Sequence, residues 1–219
     1  MIIVLLGMPG CGKGTQAELL TKYYNIPHIS TGDLFRKEIA NKTELGVLAQ
    51  SYIDNGHFVP DEVSINMLKN RISNEDCKNG YILDGFPRTI PQAVELDKFA
   101  KVDIAILLDV DENEVRERAL SRRTCKDCGY IYNTSWNLGY EKCPKCGGEF
   151  GVRSDDNEQT YKNRYEVYER ETLPILGYFK NEGKVVTVKC EDNPEESYKK
   201  MIAAFKASNI SGLKEFLEG

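Results

Sequence analysis

Gly7-Met8-Pro9-Gly10-Cys11-Gly12-Lys13-Gly14-Thr15 decides how this chain folds. It follows directly on the apolar run Met1-Ile2-Ile3-Val4-Leu5-Leu6 and leads into a helical pattern through Gln16-Ala17-Glu18-Leu19-Leu20. That order reads strand, glycine-rich loop, helix. Gly7, Gly10 and Gly12 let the backbone fold back with its N–H groups turned inward, and such a ring at a helix N-terminus cradles phosphate oxygens. Lys13 adds a positive charge where the outer phosphates of a nucleoside triphosphate would lie, and the helix dipole turns its positive end to the same place. The general phosphate-loop pattern puts Ser or Thr directly after the lysine as a magnesium ligand. Here Gly14 stands there and Thr15 comes one residue later, so the loop alone leaves the magnesium arrangement open.

Outward from the loop, short apolar runs alternate with amphipathic helical patterns. The runs are Ile2–Leu6, Ile26–Ile29, Tyr81–Leu83, Ile104–Leu108 and Val185–Val188. Alternation of this kind predicts an α/β fold with a parallel sheet covered by helices on both faces, its ligands at the carboxyl ends of the strands. Helix starts are marked by the capping patterns Ser30-Thr31-Gly32-Asp33 and Thr89-Ile90-Pro91-Gln92. Pro60-Asp61-Glu62 opens a helix bearing Val63, Met67 and Leu68, and Glu112–Leu120 turns Val115, Ala119 and Leu120 inward. Thr160–Phe179 reads as one helix kinked near Pro174, and Pro194–Phe205 and Leu213–Leu217 complete the set.

The 219 residues suffice for one good core and an inserted subdomain. A net charge of −5 argues against a nucleic acid as the main partner. No apolar run reaches the length of a bilayer span, and the apolar first six residues lack the basic n-region of a signal peptide. Seven cysteines, an odd number with four of them in one cluster, indicate a reduced, cytoplasmic protein and not a disulfide scaffold.

Three constellations carry chemistry. The first is Asp84-Gly85-Phe86-Pro87-Arg88, directly after Tyr81-Ile82-Leu83. An acidic residue at the end of a second strand is the usual magnesium partner of a phosphate loop, and Arg88 offers a bidentate fork to phosphate. Asp109, after the next strand, is expected to cap the following helix. The second is the set Lys13, Arg36, Arg88, Arg122, Arg123, Arg153 and Arg164, spread over strand ends, helix starts and the edges of an irregular segment from Arg122 to Asp156. Phosphoryl transfer needs such positioning and charge neutralisation more than covalent chemistry. The third is Cys125-Lys126-Asp127-Cys128 and Cys143-Pro144-Lys145-Cys146, with fourteen residues between the pairs, which a hairpin such as Tyr130–Tyr140 can span. Two such knuckles close a tetrahedral site of four thiolates that suits zinc, and the full ligand set makes the zinc structural.

In GMPGCGKGT at 7–15, STGD at 30–33, LDGFPRT at 83–89, SRR at 121–123 and the cysteine insert, the chain resembles bacterial adenylate kinases of the long-lid, zinc-containing form over essentially its whole length. The resemblance implies the nucleoside monophosphate kinase fold: a parallel five-stranded sheet flanked by helices, an AMP-binding domain and an inserted zinc-binding lid. It divides the chain into a core (1–29, 60–121 and 157–219), an AMP-binding domain (30–59) and a lid (122–156). It implies reversible transfer of the terminal phosphoryl group of magnesium-ATP to AMP, giving two ADP and maintaining adenine nucleotide balance, by a monomer with no nucleic acid or membrane partner.

By the same resemblance, Gly10, Cys11, Gly12, Lys13, Gly14 and Thr15 hold ATP, with Arg118 stacked on its adenine and Ile131, Tyr132 and Asn193 nearby. Thr31, Arg36, His57, Phe58, Val59, Gly85, Phe86, Pro87, Arg88 and Gln92 form the AMP pocket, Gln92 facing adenine. Arg122, Arg153 and Arg164 close over the phosphates, the latter two also on the AMP side. Asp84 orders waters around a magnesium held by phosphates, so the displaced Thr15 is no defect. Cys125, Cys128, Cys143 and Cys146 hold zinc, and the Phe86–Pro87 bond is cis.

Other readings differ in class. Kinases of UMP or CMP usually have a short lid and other residues at the positions of Thr31 and Gln92. A regulatory GTPase would need Asp in place of Glu44 in Asn41-Lys42-Thr43-Glu44, with a strand before it, and the stretch reads as a turn between helices. A zinc-ribbon nucleic-acid binder fits Lys126, Lys142 and Lys145 around the knuckles, but neither the acidic total nor the phosphate loop.

Overall fold

The computed structural model describes residues 1–136, 138–190, 193–208 and 210; Asp192 and the helix expected at Leu213–Leu217 lie outside them. In chain order the elements are β1 (Ile2–Leu6), α1 (Lys13–Tyr24), β2 (His28–Ser30), α2 (Thr31–Ala40), α3 (Glu44–Ile53), α4 (Asp61–Ile72), β3 (Tyr81–Asp84), α5 (Ile90–Phe99), β4 (Ile104–Asp109) and α6 (Glu112–Leu120). There follow β5 (Arg122–Cys125), β6 (Ile131–Asn133), β7 (Phe150–Gly151), α7 (Glu158–Val167), α8 (Leu173–Asn181), β8 (Val185–Lys189) and α9 (Pro194–Ala207).

Five strands form a parallel sheet in the order β2-β3-β1-β4-β8. The apolar run at the start of the chain becomes its central strand, and its side chains divide by the two-residue period of a strand. Ile3 and Leu5 pack with Ala17 and Leu20 of α1 and with Met201 and Phe205 of α9. Val4 and Leu6 pack on the other face with Leu68 of α4, Leu96 of α5 and Ile175 and Phe179 of α8. Burial on both faces explains why β1, β3 and β4 are continuous apolar runs, whereas the edge strand β8 alternates, with Thr187 and Lys189 exposed. A third, smaller cluster of Phe35, Ala49 and Val59 stabilises α2 and α3, and Val63 and Met67 of α4 pack partly against it.

Several boundaries differ from the sequence-based expectation. The strand expected at Ile26–Ile29 is His28–Ser30: Pro27 has no N–H to donate, and its carbonyl only accepts the first ladder bond, from Ile82 N at 2.9 Å. Asp109 does not cap α6. It ends β4, where its carbonyl accepts from Cys190 N, and Asp111 is the cap, accepting from Asn113 N at 2.9 Å. The helix expected at Thr160–Phe179 starts earlier, capped by Asn157. It is broken by a π-helical turn at Tyr168–Thr172, directly before Pro174 in the first turn of α8. A proline ring collides with the carbonyl one turn earlier, and the widened turn makes room for it. Phe86–Pro87 is cis.

The segment between α6 and α7 carries a separate antiparallel sheet in the order β6-β5-β7. Its hairpin is β5–β6, with the first cysteine knuckle in the turn, so the hairpin expected at Tyr130–Tyr140 is not formed. After β6 the chain makes a 3-10 turn at Thr134–Trp136 instead. Between the tip of α3 and the start of α7 runs a seam of hydrogen bonds. Ser154 donates to Asp54 Oδ1 (2.7 Å), Thr160 Oγ1 to the Asp54 carbonyl (3.1 Å) and Asn163 Nδ2 to the Asn55 carbonyl (3.0 Å).

Candidate functional site

The carboxyl ends of β1, β2 and β3 open into a cleft of about 570 Å³. It lies within the size range of ligand pockets. One wall is the glycine-rich loop. Gly10 adopts φ +97°, and a Cβ there would lie 2.5 Å from the Val115 carbonyl, so only glycine lets α6 pack against the loop. Gly12 precedes α1 without a side-chain cap, and no acidic residue stands in the first turn. The first N–H groups of α1 are therefore presented to an anion. Lys13 Nζ donates to the carbonyls of Gly7 (2.8 Å) and Met8 (2.9 Å), which holds its charge over the loop.

Asp84 faces this loop: a Cβ on Gly14 would lie 3.8 Å from Asp84 Oδ2. The carboxylate also meets His28 Nε2 at 3.3 Å. Burial opposes the charge on both groups, but the contact prevails. Asp84 is held below the usual carboxylate range by His28 and Lys13, and His28 is raised above the usual imidazole value chiefly by Asp84. A buried carboxylate kept ionised beside a phosphate cradle fits a magnesium ion and its waters.

The opposite wall is arginine-rich. Arg88 Nε donates to the Gly85 carbonyl at 2.7 Å, and the guanidinium lies 5.1 Å over the Phe58 ring. Gly85 itself has φ +78°, and a Cβ there would stand 2.7 Å from Arg88 and 2.9 Å from Thr31 Oγ1. Arg36 is held by Asp33 (2.5 Å), Arg164 by Asp155 (2.5 Å), Arg122 by Asp156, and Arg153 donates to Thr124 Oγ1 at 3.1 Å. Burial and the neighbouring guanidinium of Arg164 pull Arg88 down to about 10, and burial with Arg122 and Arg36 does the same to Arg153. Arg164 is lowered mainly by burial, whereas in Arg122 the Asp156 carboxylate outweighs burial and raises it. Among the described residues, seven lysine and arginine side chains line the cleft against four carboxylates, in a chain whose net charge is −5. So strong a reversal of sign marks a binding surface for a polyanion.

Most residues expected at the site line this cleft: Gly10 to Thr15, Thr31, Arg36, His57, Phe58, Val59, Asp84, Gly85, Pro87, Arg88, Gln92, Arg118, Arg122, Ile131, Arg153 and Arg164. Three do not, and each has other work. Phe86 is buried in the core beneath α5. Tyr132 packs its ring 5.3 Å from both Tyr140 and Phe150, while its neighbours Ile131 and Asn133 reach the cleft. Asn193 caps α9, and Pro194 and Ser197 line the cleft in its place. Arg118 lines the cleft and pairs with Glu114 one turn earlier. Missing from the expectation were Asp33, Asp155 and Asp156, the carboxylates that aim the arginines. Their signals were the pair Asp155-Asp156 just after Arg153 and the one-turn spacing of Asp33 and Arg36.

The candidate metal centre is separate. The sulfurs of Cys125, Cys128, Cys143 and Cys146 all lie within 4.8 Å of one another, with Cys125–Cys146 at 3.5 Å and Cys128–Cys143 at 3.6 Å. Four thiolates about 2.3 Å from a tetrahedral zinc would stand about 3.8 Å apart, so the cluster fits the ion. The knuckles are preformed by backbone bonds from Gly129 N to the Cys125 carbonyl and from Gly147 N to the Cys143 carbonyl. The backbone N–H of Cys128 draws the Cys125 thiol down to about 7, while the neighbouring sulfurs hold Cys146 up at about 12 against the Gly148 N–H, so the fit to a metal rests on the geometry of the four sulfurs.

A family model described as adenylate kinase matches residues 5–184. An adenylate kinase of Clostridium perfringens (strain SM101) is 49% identical over 195 residues, 86% of this chain and 90% of the relative. One of Clostridium tetani is 48% identical over the same shares. One of Caldicellulosiruptor bescii is 44% identical over 211 residues, 93% of this chain and 98% of its own.

Proposed function

Because the chain belongs to the adenylate kinase family, we propose that it transfers the terminal phosphoryl group of magnesium-ATP reversibly to AMP. An oxygen of the AMP phosphate attacks the terminal phosphorus, the bond to the bridging oxygen breaks, and both products are ADP. The observation that carries this reading is the single cleft in which a phosphate-cradling loop faces a wall of arginines.

In this reading Gly10 to Thr15 bind the ATP phosphates, and Lys13 follows the transferred group. Arg36 and Arg88 take the AMP phosphate, and Gln92 faces the base. Arg118 packs on the ATP adenine with Ile131 nearby. Arg122, Arg153 and Arg164 neutralise the charge that spreads over the transferred group. Positioned cations of this kind act without reorganisation at the moment of transfer. Asp33, Asp155 and Asp156 hold three of these arginines in place, which their distances support. Asp84 would order the waters of the magnesium that accompanies ATP, and that ion would supply charge neutralisation. Zinc held by the four cysteines would tie the segment 122–156 together beside its small aromatic cluster of Tyr132, Tyr140 and Phe150. That segment acts as a lid excluding water over the core of 1–29, 60–121 and 157–219, with 30–59 binding AMP. We further propose a cytoplasmic monomer. Among the described residues no helix is long and apolar enough to cross a membrane.

A coupled assay of ADP production with magnesium-ATP against AMP, UMP, CMP and GMP tests the reading. It requires AMP to be preferred. A preference for UMP or CMP would assign the cleft to another nucleoside monophosphate.

A further inference from the structure

Asp61, the first residue of α4, holds the side chain of Gln92 in one orientation. Gln92 Nε2 donates to Asp61 Oδ1 at 2.7 Å, and Gln92 Oε1 accepts from the backbone N–H of Arg88, also at 2.7 Å. A carboxylate can only accept and a peptide N–H can only donate. Turning the amide over would set oxygen against oxygen at Asp61 and N–H against N–H at Arg88. Thr89 completes the ring: its hydroxyl donates to Asp61 Oδ2 at 2.8 Å and accepts from the Gln92 backbone N–H at 3.2 Å. Gln92 is 2% exposed and lines the cleft with Phe58, Val59 and Ser64; among the described lining residues Asp61 does not figure.

After these bonds the amide keeps one N–H and one oxygen lone pair. We propose that Asp61 is a specificity-determining positioning residue, which makes the pocket select a 6-amino purine over a 6-oxo purine by fixing the Gln92 amide. The inference rests on the reading of Gln92 as the residue that faces the base of AMP. Adenine presents an N6–H donor beside an N1 acceptor. Hypoxanthine and guanine present an O6 acceptor beside an N1–H donor at the same places. The fixed amide pairs with the first edge and meets the second with oxygen on oxygen and N–H on N–H. Only the opposite amide orientation would suit the 6-oxo edge, and Asp61 with the Arg88 N–H opposes it. A site that binds by hydrogen bonds rejects a mismatched partner far more strongly than an apolar pocket does.

The test compares kcat/KM for AMP and for inosine monophosphate, at saturating magnesium-ATP, in the unaltered enzyme and in Asp61→Asn and Asp61→Ala. Melting temperature and KM for ATP are measured alongside. Asparagine keeps the size but offers both a donor and an acceptor, and alanine removes the carboxylate, so in both variants only the Arg88 N–H still opposes the turned amide. The expected result is a fall of about tenfold or more in the AMP to inosine monophosphate ratio, mainly through KM for AMP, with KM for ATP unchanged. An unchanged ratio in both variants, whatever their melting temperatures, would overturn the proposal, because a loosened fold weakens both substrates alike. The underlying reading fails separately, if the unaltered enzyme does not prefer AMP.

Discussion

Removing Asp156 leaves the Arg122 guanidinium without its carboxylate in a place that water hardly reaches. The two side chains are 14% and 1% exposed, and Arg122 Nε donates to Asp156 Oδ2 at 2.8 Å while a second nitrogen meets Oδ1. They stand at the two ends of the inserted segment, so the pair staples its incoming strand β5 to the turn that leads out into α7. Breaking one side of a buried pair costs about 3–5 kcal/mol, because the partner stays desolvated. For a chain of this size 3 kcal/mol is a fall of roughly 6–12 °C in melting temperature. Asp156→Ala and Arg122→Ala should each lower stability by about 3 kcal/mol in urea melts. The double variant should lose far less than their sum, a coupling energy of about 3 kcal/mol. Hydrogen exchange should quicken first at the Cys125 and Lys126 amides, which bond the Tyr130 and Glu149 carbonyls across the small sheet. Additive single effects below about 1 kcal/mol, the behaviour of a solvated surface pair, would refute the reasoning.

Lys13→Met and Arg88→Ala should each lower kcat by about a hundredfold or more, since each removes a charge aimed at the transferred or accepting phosphate; near-normal turnover in both would overturn the assigned roles. Metal analysis should find one zinc per chain, and a strong chelator should lower the melting temperature and speed proteolysis between residues 122 and 156. An unchanged melt after chelation would mean that the four cysteines hold no structural ion. The His28–Asp84 contact should make stability pH-dependent in protein free of nucleotide and magnesium. His28 is raised, so its contribution is full below its ordinary 6.5 and is lost as pH rises through the higher folded value. Asp84 is lowered, so its contribution is full above 3.8 and is lost as pH falls through the lower folded value. The destabilisation by His28→Asn should thus be larger at about pH 5 than at about pH 9, and equal values would contradict the pairing.

The loop and the sheet were legible because each is specified locally. Glycines at fixed spacing before Lys13 force the turn, and doubly buried strands must be apolar along their whole length. Element ends were less legible where two groups competed for one task. Asp109 and Asp111 are equally good caps by residue type, and only the extension of β4 through its pairing with β8 decides between them. In the site, the arginines announced themselves by number, but the carboxylates that aim them did not. Asp155 looks like any surface acid until the fold brings it against Arg164, whereas Asp33 stands one helical turn before Arg36 and only that spacing announced it. Tyr132 lies off the cleft lining for a related reason. Adjacent strand residues face opposite ways, so Ile131 in the cleft puts Tyr132 against Tyr140 and Phe150.

The hydrogen bonds of the seam at Asp54 and Asn55 are neutral or surface-exposed, each worth about 1 kcal/mol where water competes for both partners. Such a joint behaves as a latch and not as a weld. Its strength is of the order of a few units of thermal energy, so the tip of α3 and the start of α7 can part and rejoin without either helix unfolding.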